Sequence, residues 1–122
     1  MSISDVAAAT GVTAHTLRYY ERVQLLDPIA KNQAGRRRFG GSDLVRIDFI
    51  GRLRATGMPI REIRRYVELI RAGDHTEPDR IALLEAHRAS VEQQLAEIQR
   101  SLDAINGKID NYRAKRARST AP

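Results

Sequence analysis

Thr13-Ala14-His15-Thr16-Leu17-Arg18-Tyr19-Tyr20-Glu21-Arg22 is the stretch on which the fold turns. Thr13 is placed to cap a helix, its hydroxyl oxygen accepting from N–H groups that the first turn leaves without partners. Leu17 and Tyr20, three apart, share one side and can face a core. His15, Thr16, Arg18, Tyr19 and Arg22 spread over the remaining faces with hydrogen-bonding or cationic tips. Such a helix is equipped to meet the phosphate oxygens and base edges of a duplex. Taken alone, the ten residues leave a solvated helix with two core tyrosines as the lesser alternative. The flanking sequence decides between the two.

Upstream, Ile3-Ser4-Asp5-Val6-Ala7-Ala8-Ala9-Thr10-Gly11-Val12 reads as a short first helix, with Ser4 as its cap, Asp5 in its first turn and Gly11 as its stop. Glycine suits the residue after a helix because it takes a positive φ without a Cβ penalty. Alanines at 7 to 9 let two helices approach closely. A helix, a glycine-containing turn and a second helix form the helix-turn-helix layout.

Downstream, residues 27 to 41 lack helical periodicity. Ile29 to Lys31 and Arg37 to Phe39 are expected to form two short strands joined around Gly35. Three consecutive arginines, Arg36 to Arg38, then alternate between the faces of the hairpin. Ser42 is expected to cap a third helix from Asp43 to about Thr56. Its apolar stripe is Leu44, Ile47, Ile50 and Leu53, which leaves Arg46, Arg52 and Arg54 outside. Gly57 ends that helix. Pro59 suits the start of a fourth, from about Ile60 to Arg71, with Ile60, Ile63, Val67 and Ile70 inward and Arg61, Arg64 and Arg65 outward.

After a break at Gly73-Asp74-His75-Thr76, residues 77–112 read as one continuous helix. Ile81, Leu84, Arg88, Val91, Leu95, Ile98, Leu102, Ile105, Ile109 and Tyr112 alternate spacings of three and four without a slip, a heptad seam. Only Arg88 interrupts its apolar character. So narrow a stripe cannot be satisfied within one chain and calls for a partner helix, most simply a second copy. Leu84, Val91, Leu95, Ile98, Leu102 and Ile105 are the expected dimerisation residues. The heptads alone leave the orientation of the pair open.

The chain has 122 residues, a net charge of +6 and no cysteine. Its charge is segregated. Residues 1–72 carry 13 Lys/Arg against 7 Asp/Glu, residues 73–112 carry 4 against 8, and residues 113–122 carry 4 against none. A basic N-terminal module is what counterion release from DNA phosphates rewards. Without cysteine there are no disulfides, thiolate metal sites or thiol switches. His15, His75 and His87 are too dispersed for a metal site, and neither a metal nor another cofactor is expected. No stretch approaches the length of a membrane span, and the first helix begins too early for a signal peptide, so a cytoplasmic chain is expected. No glycine-rich phosphate loop, paired acid/base constellation or nucleophile–base arrangement is present, so an enzyme is not expected.

In these motifs the chain resembles the MerR family of bacterial transcription regulators. The resemblance is carried by Ile3-Ser4-Asp5-Val6-Ala7, Gly11-Val12-Thr13, Leu17-Arg18-Tyr19-Tyr20-Glu21-Arg22, Leu25-Leu26, Gly35-Arg36-Arg37-Arg38-Phe39 and Leu53-Arg54-Ala55-Thr56-Gly57-Met58-Pro59-Ile60. The remainder, to Tyr112, resembles short members without an effector-binding domain. The resemblance implies a mainly α fold: a winged helix-turn-helix DNA-binding head over residues 1–72 and a coiled-coil dimerisation helix over 77–112; the run of basic residues over 113–122 is expected to be a disordered tail. It further implies an antiparallel homodimer on a pseudo-palindromic promoter element, distorting the spacer so that RNA polymerase can engage it, and hence a cytoplasmic, nucleoid-associated protein.

By this likeness Thr13, His15, Thr16, Arg18 and Tyr19 sit in or over the major groove, and Tyr20 offers its hydroxyl to phosphate while its ring packs inward. Arg36 and Arg37 on the wing, and Arg54 on a second wing, grip the flanking backbone. The wing departs from the usual Asn-Gly-Tyr-Arg-Arg-Tyr, with Ala34, Arg36 and Phe39 at three of its positions, which weakens the hairpin-turn signal. Electrophile-sensing members carry a cysteine in the run that reads Phe49-Ile50-Gly51-Arg52-Leu53-Arg54 here. Arginine at that position implies a signal independent of thiol chemistry. The rival reading is an architectural DNA-bending or excision-type accessory protein without a transcriptional role.

Overall fold

The computed structural model describes residues 1–26 and 39–120. The expected wing, including Arg36 and Arg37, falls outside them except for Phe39. The described chain is helical: α1 (Ile3–Thr10), α2 (Ala14–Arg22), α3 (Gly41–Ala55), α4 (Ile60–Ala72), a 3₁₀ turn (Asp74–Thr76) and α5 (Glu77–Thr120). It divides into two units, Met1–Leu83 and Leu84–Pro122. Among the described residues no helix is long and apolar enough to cross a membrane.

In the first unit α1 packs on α2 and α3, and α3 packs on α4. Val6, Leu17, Ile47, Ile50, Ile63 and Val67 lose essentially all exposure, each burial contributing about 1.5–3 kcal/mol before entropy is charged against it. The stripes read from α3 and α4 hold at Ile47, Ile50, Leu53, Ile63 and Val67, which are buried, while Leu44, Ile60 and Ile70 are half-buried. Phe39 is buried too. It is not in a strand; instead its N–H donates to the Met1 carbonyl at 2.8 Å, and its carbonyl accepts from the Met1 amino group at 3.0 Å.

Two helix starts differ from expectation for one reason. The cap of α1 is Ser2, not Ser4: the Ser2 hydroxyl accepts from the Asp5 N–H at 3.2 Å, and the Asp5 carboxylate accepts from the Ser2 N–H at 3.0 Å. The Ser2 N–H, and after it the Ser2 hydroxyl, favour the ionised form and so lower the pKa of the Asp5 carboxyl. Likewise α3 starts behind Gly40, not Ser42, with the Gly40 N–H donating to Asp43 Oδ2 at 2.8 Å. In both cases the start is fixed by an acid three residues past the cap, a spacing that Ser4 and Ser42 lack.

The ends of α2 and α3 share a closing motif. Leu25 N–H donates to the Tyr20 carbonyl and Gln24 N–H to that of Glu21, with Gln24 at φ 66°. Met58 N–H donates to the Leu53 carbonyl and Gly57 N–H to that of Arg54, with Gly57 at φ 93°. This is the Schellman arrangement, which satisfies end carbonyls and turns the next apolar residue back toward the helix. Leu25, Leu26 and Met58 are accordingly buried.

The break before α5 lies where the sequence placed it, and it is built on Thr76, whose role the spacing did not show. Thr76 is buried, and its hydroxyl lies 2.6 Å from the Leu69 carbonyl and 2.8 Å from that of Gly73 while accepting from Arg80 Nε at 3.1 Å. Arg80 also donates through Nη2 to the Gly73 carbonyl. Beyond it α5 is a single helix to Thr120. The residues from 113 onward, expected to be disordered, are helical up to that point. Thr76→Val is expected to cost the head about 1–3 kcal/mol, because it strips the last carbonyls of α4 and the Arg80 guanidinium of a buried partner. Urea unfolding would read this directly; an unchanged midpoint would remove Thr76 from the structural account.

Candidate nucleic-acid interface

Helix α2 begins where the sequence placed it. Thr13 is its cap, accepting from the Thr16 N–H at 3.1 Å. The Thr13 hydroxyl proton points to Thr16 Oγ1 at 2.9 Å, so the hydroxyl that remains able to donate outward is that of Thr16. Leu17 and Tyr20 are buried. At about 100° per residue, His15, Arg18, Tyr19 and Arg22 then fall within roughly 100° of arc on the opposite side. His15, Arg18 and Arg22 are exposed, and Tyr19 is half-exposed. The two faces the sequence implied are thus physically separated.

Arginines from other helices hold this helix in place. Arg54, at the end of α3, lies over both the Tyr19 and Tyr20 rings, its guanidinium carbon 5.7 Å from each centroid. Arg22 stacks on Tyr19 at 5.4 Å. The two rings are tilted by 48° with centroids 6.5 Å apart, which lets one guanidinium serve both. Arg64 of α4 donates through Nε to the Val23 carbonyl at 3.2 Å, placing a cation at the C-terminal, partially negative end of α2. Arg64, which the periodicity left on an outer face, is therefore a tertiary anchor. A helix whose carbonyl end emerges beside an arginine from elsewhere cannot be read from local sequence.

Of the expected contact residues, the structure brings Thr13, His15, Thr16, Arg18 and Tyr19 onto one helix and adds Arg54 to its aromatic side. Tyr20 is only 3% exposed and serves as the inner wall. Arg36 and Arg37 lie outside the described residues. Arg22, not singled out from sequence as a contact residue, belongs to the exposed stripe by position. Arg61 is exposed at the start of α4. On α3, Arg52 pairs with Asp48 at 3.2 Å. Among the described residues no group of three or more His, Cys, Asp or Glu side chains could hold a metal ion.

A short, capped helix with a cationic and hydroxyl-bearing outer face, following a tight turn after a first helix, defines a helix-turn-helix DNA-binding protein. The comparisons with known proteins identify which kind. Residues 1–70 match the MerR HTH family regulatory proteins, and residues 44–108 match the MerR DNA-binding family. The chain belongs to the MerR family of transcriptional regulators. It is 34% identical over 114 residues to an uncharacterized HTH-type transcriptional regulator of Haemophilus influenzae, covering 93% of this chain and 84% of that one. Among solved structures it resembles HiNmlR, a MerR family regulator lacking the sensor domain and bound to promoter DNA. The TM-score is 0.90 at 31% identity, over 100% of this chain and 96% of that one. A MerR family protein from Listeria monocytogenes superposes with a TM-score of 0.85 at 38% identity, over 92% and 85% of the two chains.

The double stack at Arg54 carries a direct expectation. Arg54→Ala should lower head stability by about 0.5–1 kcal/mol, the worth of an exposed cation–π contact. Arg54→Lys should recover only part of it, since an ammonium cannot lie flat across two rings. Urea midpoints of the three proteins decide the matter; identical midpoints would mean the stack carries no energy.

Proposed function

We propose that this protein binds a pseudo-palindromic promoter element as a homodimer, each head inserting α2 into a major groove, and regulates transcription by distorting the spacer between half-sites. The observation that carries the reading is the stripe of exposed His15, Arg18 and Arg22 with half-exposed Tyr19, backed by buried Leu17 and Tyr20 and by Arg54 stacked on the tyrosines. In this reading Arg18 reaches base edges or phosphate from the middle of the helix. Thr16 contributes its outward hydroxyl, and His15 and Tyr19 flank it. Arg54 adds positive charge beside the groove, and Arg36 and Arg37 contact the flanking backbone. The promoter DNA held by HiNmlR supports a promoter target.

The homodimer rests on the second unit. Leu95, Ile98, Leu102, Ile105 and Tyr112 on α5 are 66, 65, 46, 56 and 62% exposed. Such a continuous apolar seam on a single helix is stabilised by a second helix, and a second copy supplies a self-complementary one. Two heads carried by one helix pair can impose bend and twist on the DNA between them, a deformation of order 1–6 kcal/mol repaid by contacts. RNA polymerase is engaged through the altered promoter. The absence of any cysteine from the sequence makes the controlling signal independent of thiolates.

Arg18→Ala should reduce discrimination between operator and scrambled DNA by about 1–3 kcal/mol. Arg37→Ala should weaken binding to all sequences alike and flatten the salt dependence by about one counterion. Isotherms on both duplexes at several salt concentrations separate the two roles, and equal effects on the specificity ratio would overturn them. Leu95→Asp should leave the head folded and the protein monomeric, because a dimer would bury two unpaired carboxylates. A dimer undisturbed by that change in sedimentation would mean the seam is not the interface.

A further inference from the structure

Helix α3 carries apolar side chains on two sides, and the core of the head uses one. Ile47, Ile50 and Leu53 are buried there, whereas Val45 and Phe49, four apart, stand beside that stripe. Tyr66 and Ile70, also four apart, repeat the pattern on α4, and residues so spaced are neighbours on a helix surface. The two pairs meet. The Phe49 and Tyr66 rings have centroids 5.8 Å apart and planes inclined at 56°. A cavity of about 480 Å³ is lined by all four side chains together with the buried Ile50. That volume is in the range of small-molecule sites. At its edge Val45 is 73% exposed, more than any other large apolar side chain among the described residues.

Three ionised side chains line the same cavity, Arg46, Asp48 and Arg52. Asp48 is paired, its Oδ2 lying 3.2 Å from Arg52 Nε. That bond engages one nitrogen of the guanidinium and leaves its Nη edge for a further acceptor, a fork that matches the two oxygens of a carboxylate. With two cations against one acid, the lining favours an anion and penalises a cation. We propose that the cleft between α3 and α4 binds a small aromatic carboxylate, its ring against Phe49 and Tyr66 and its carboxylate on Arg52. A flat ring can meet either aromatic side chain edge-on or offset-stacked. The cleft bears on DNA binding through α3 itself. Arg54, two residues beyond Arg52, lies over the Tyr19 and Tyr20 rings of α2. A ligand seated along α3 therefore acts on the helix that backs the outer face of α2. This last step rests on the regulator reading above and gives it a place where a chemical signal enters the head.

The probe is 1-naphthoate, with 1-naphthylmethylammonium as its cationic counterpart and acetate as a carboxylate without a ring. Titrated into the full-length protein, naphthoate should shift the backbone amide NMR signals around Phe49 and Tyr66 and bind about tenfold or more tightly than either control. Arg52→Gln should weaken naphthoate about tenfold and leave the urea midpoint unchanged, since its ion pair is exposed. Val45→Trp, which sets a large ring at the cavity from an exposed position, should abolish saturation. Equal binding of naphthoate and the ammonium, or binding that both variants leave intact, overturns the site. So does binding seen only in the monomeric Leu95→Asp protein, which would mean that a second copy covers the cleft. Saturating naphthoate should change operator affinity about fivefold or more, and by linkage the operator should change naphthoate affinity by the same factor. An operator affinity indifferent to naphthoate overturns the signal role while the site stands. A protein that takes naphthoate as described but ignores promoter DNA overturns the regulator reading alone.

Discussion

Nine residues of α2 must be presented to a partner as a rigid surface, and nine residues do not make a stable helix in water. Everything else in the head follows from that constraint. The helix is held by burial of Leu17 and Tyr20, by the Thr13 cap at its start and by the reversed turn at Gln24. Arg64 fixes its carbonyl end, and Arg54 lies over its aromatic side. Each attachment comes from a different element. Loosening any one would let the exposed stripe rock, and displaced donors are worth little in recognition that depends on bidentate geometry.

Arginine performs several tasks in this protein that net charge alone would merge. Arg64 and Arg80 are structural, donating to backbone carbonyls at helix ends. Arg54 is stacked on two tyrosine rings, an arrangement that leaves the edges of its guanidinium open. Arg18 is exposed on the outer face of α2. A basic head is therefore only partly a measure of DNA affinity. Some of its positive charge closes turns, and the remainder is displayed.

Much of this was legible in the residues. The helix-turn-helix, the Thr13 cap, the Gly11 and Gly57 stops, the core stripes of α3 and α4 and the long helix all follow from periodicity and capping chemistry. The expected starts of α1 and α3 lie two residues late, because Ser4 and Ser42 have Ala7 and Val45, not an acid, three residues beyond them. Ser2 with Asp5, and Gly40 with Asp43, had that spacing in plain view. The roles of Arg64 and Thr76 were not legible. The Arg64 bond spans 41 residues, and the Thr76 hydroxyl works only because the end of α4 comes back over it. Nor could spacing show that Arg54 would settle over two tyrosines of another helix.

The basic C-terminal stretch shows why composition and conformation must be weighed separately. A run of like charges suggested disorder, yet alanine, lysine and arginine are all strong helix formers, and cations in the last turns complement the negative end of the helix dipole. Helix α5 therefore continues to Thr120. The result is a rod whose first turn carries Glu77 and Asp79 and whose last turns carry Arg113, Lys115, Arg116 and Arg118. Each cluster offsets the dipole of its own helix, so a single helix gains in stability. The same clusters make one end of the rod acidic and the other basic. Two such rods side by side repel at both ends when parallel and attract at both ends when antiparallel. In the proposed homodimer, side chains that stabilise the isolated helix would therefore also favour the antiparallel pairing that the family resemblance implies, whose two-fold axis would match a pseudo-palindromic site.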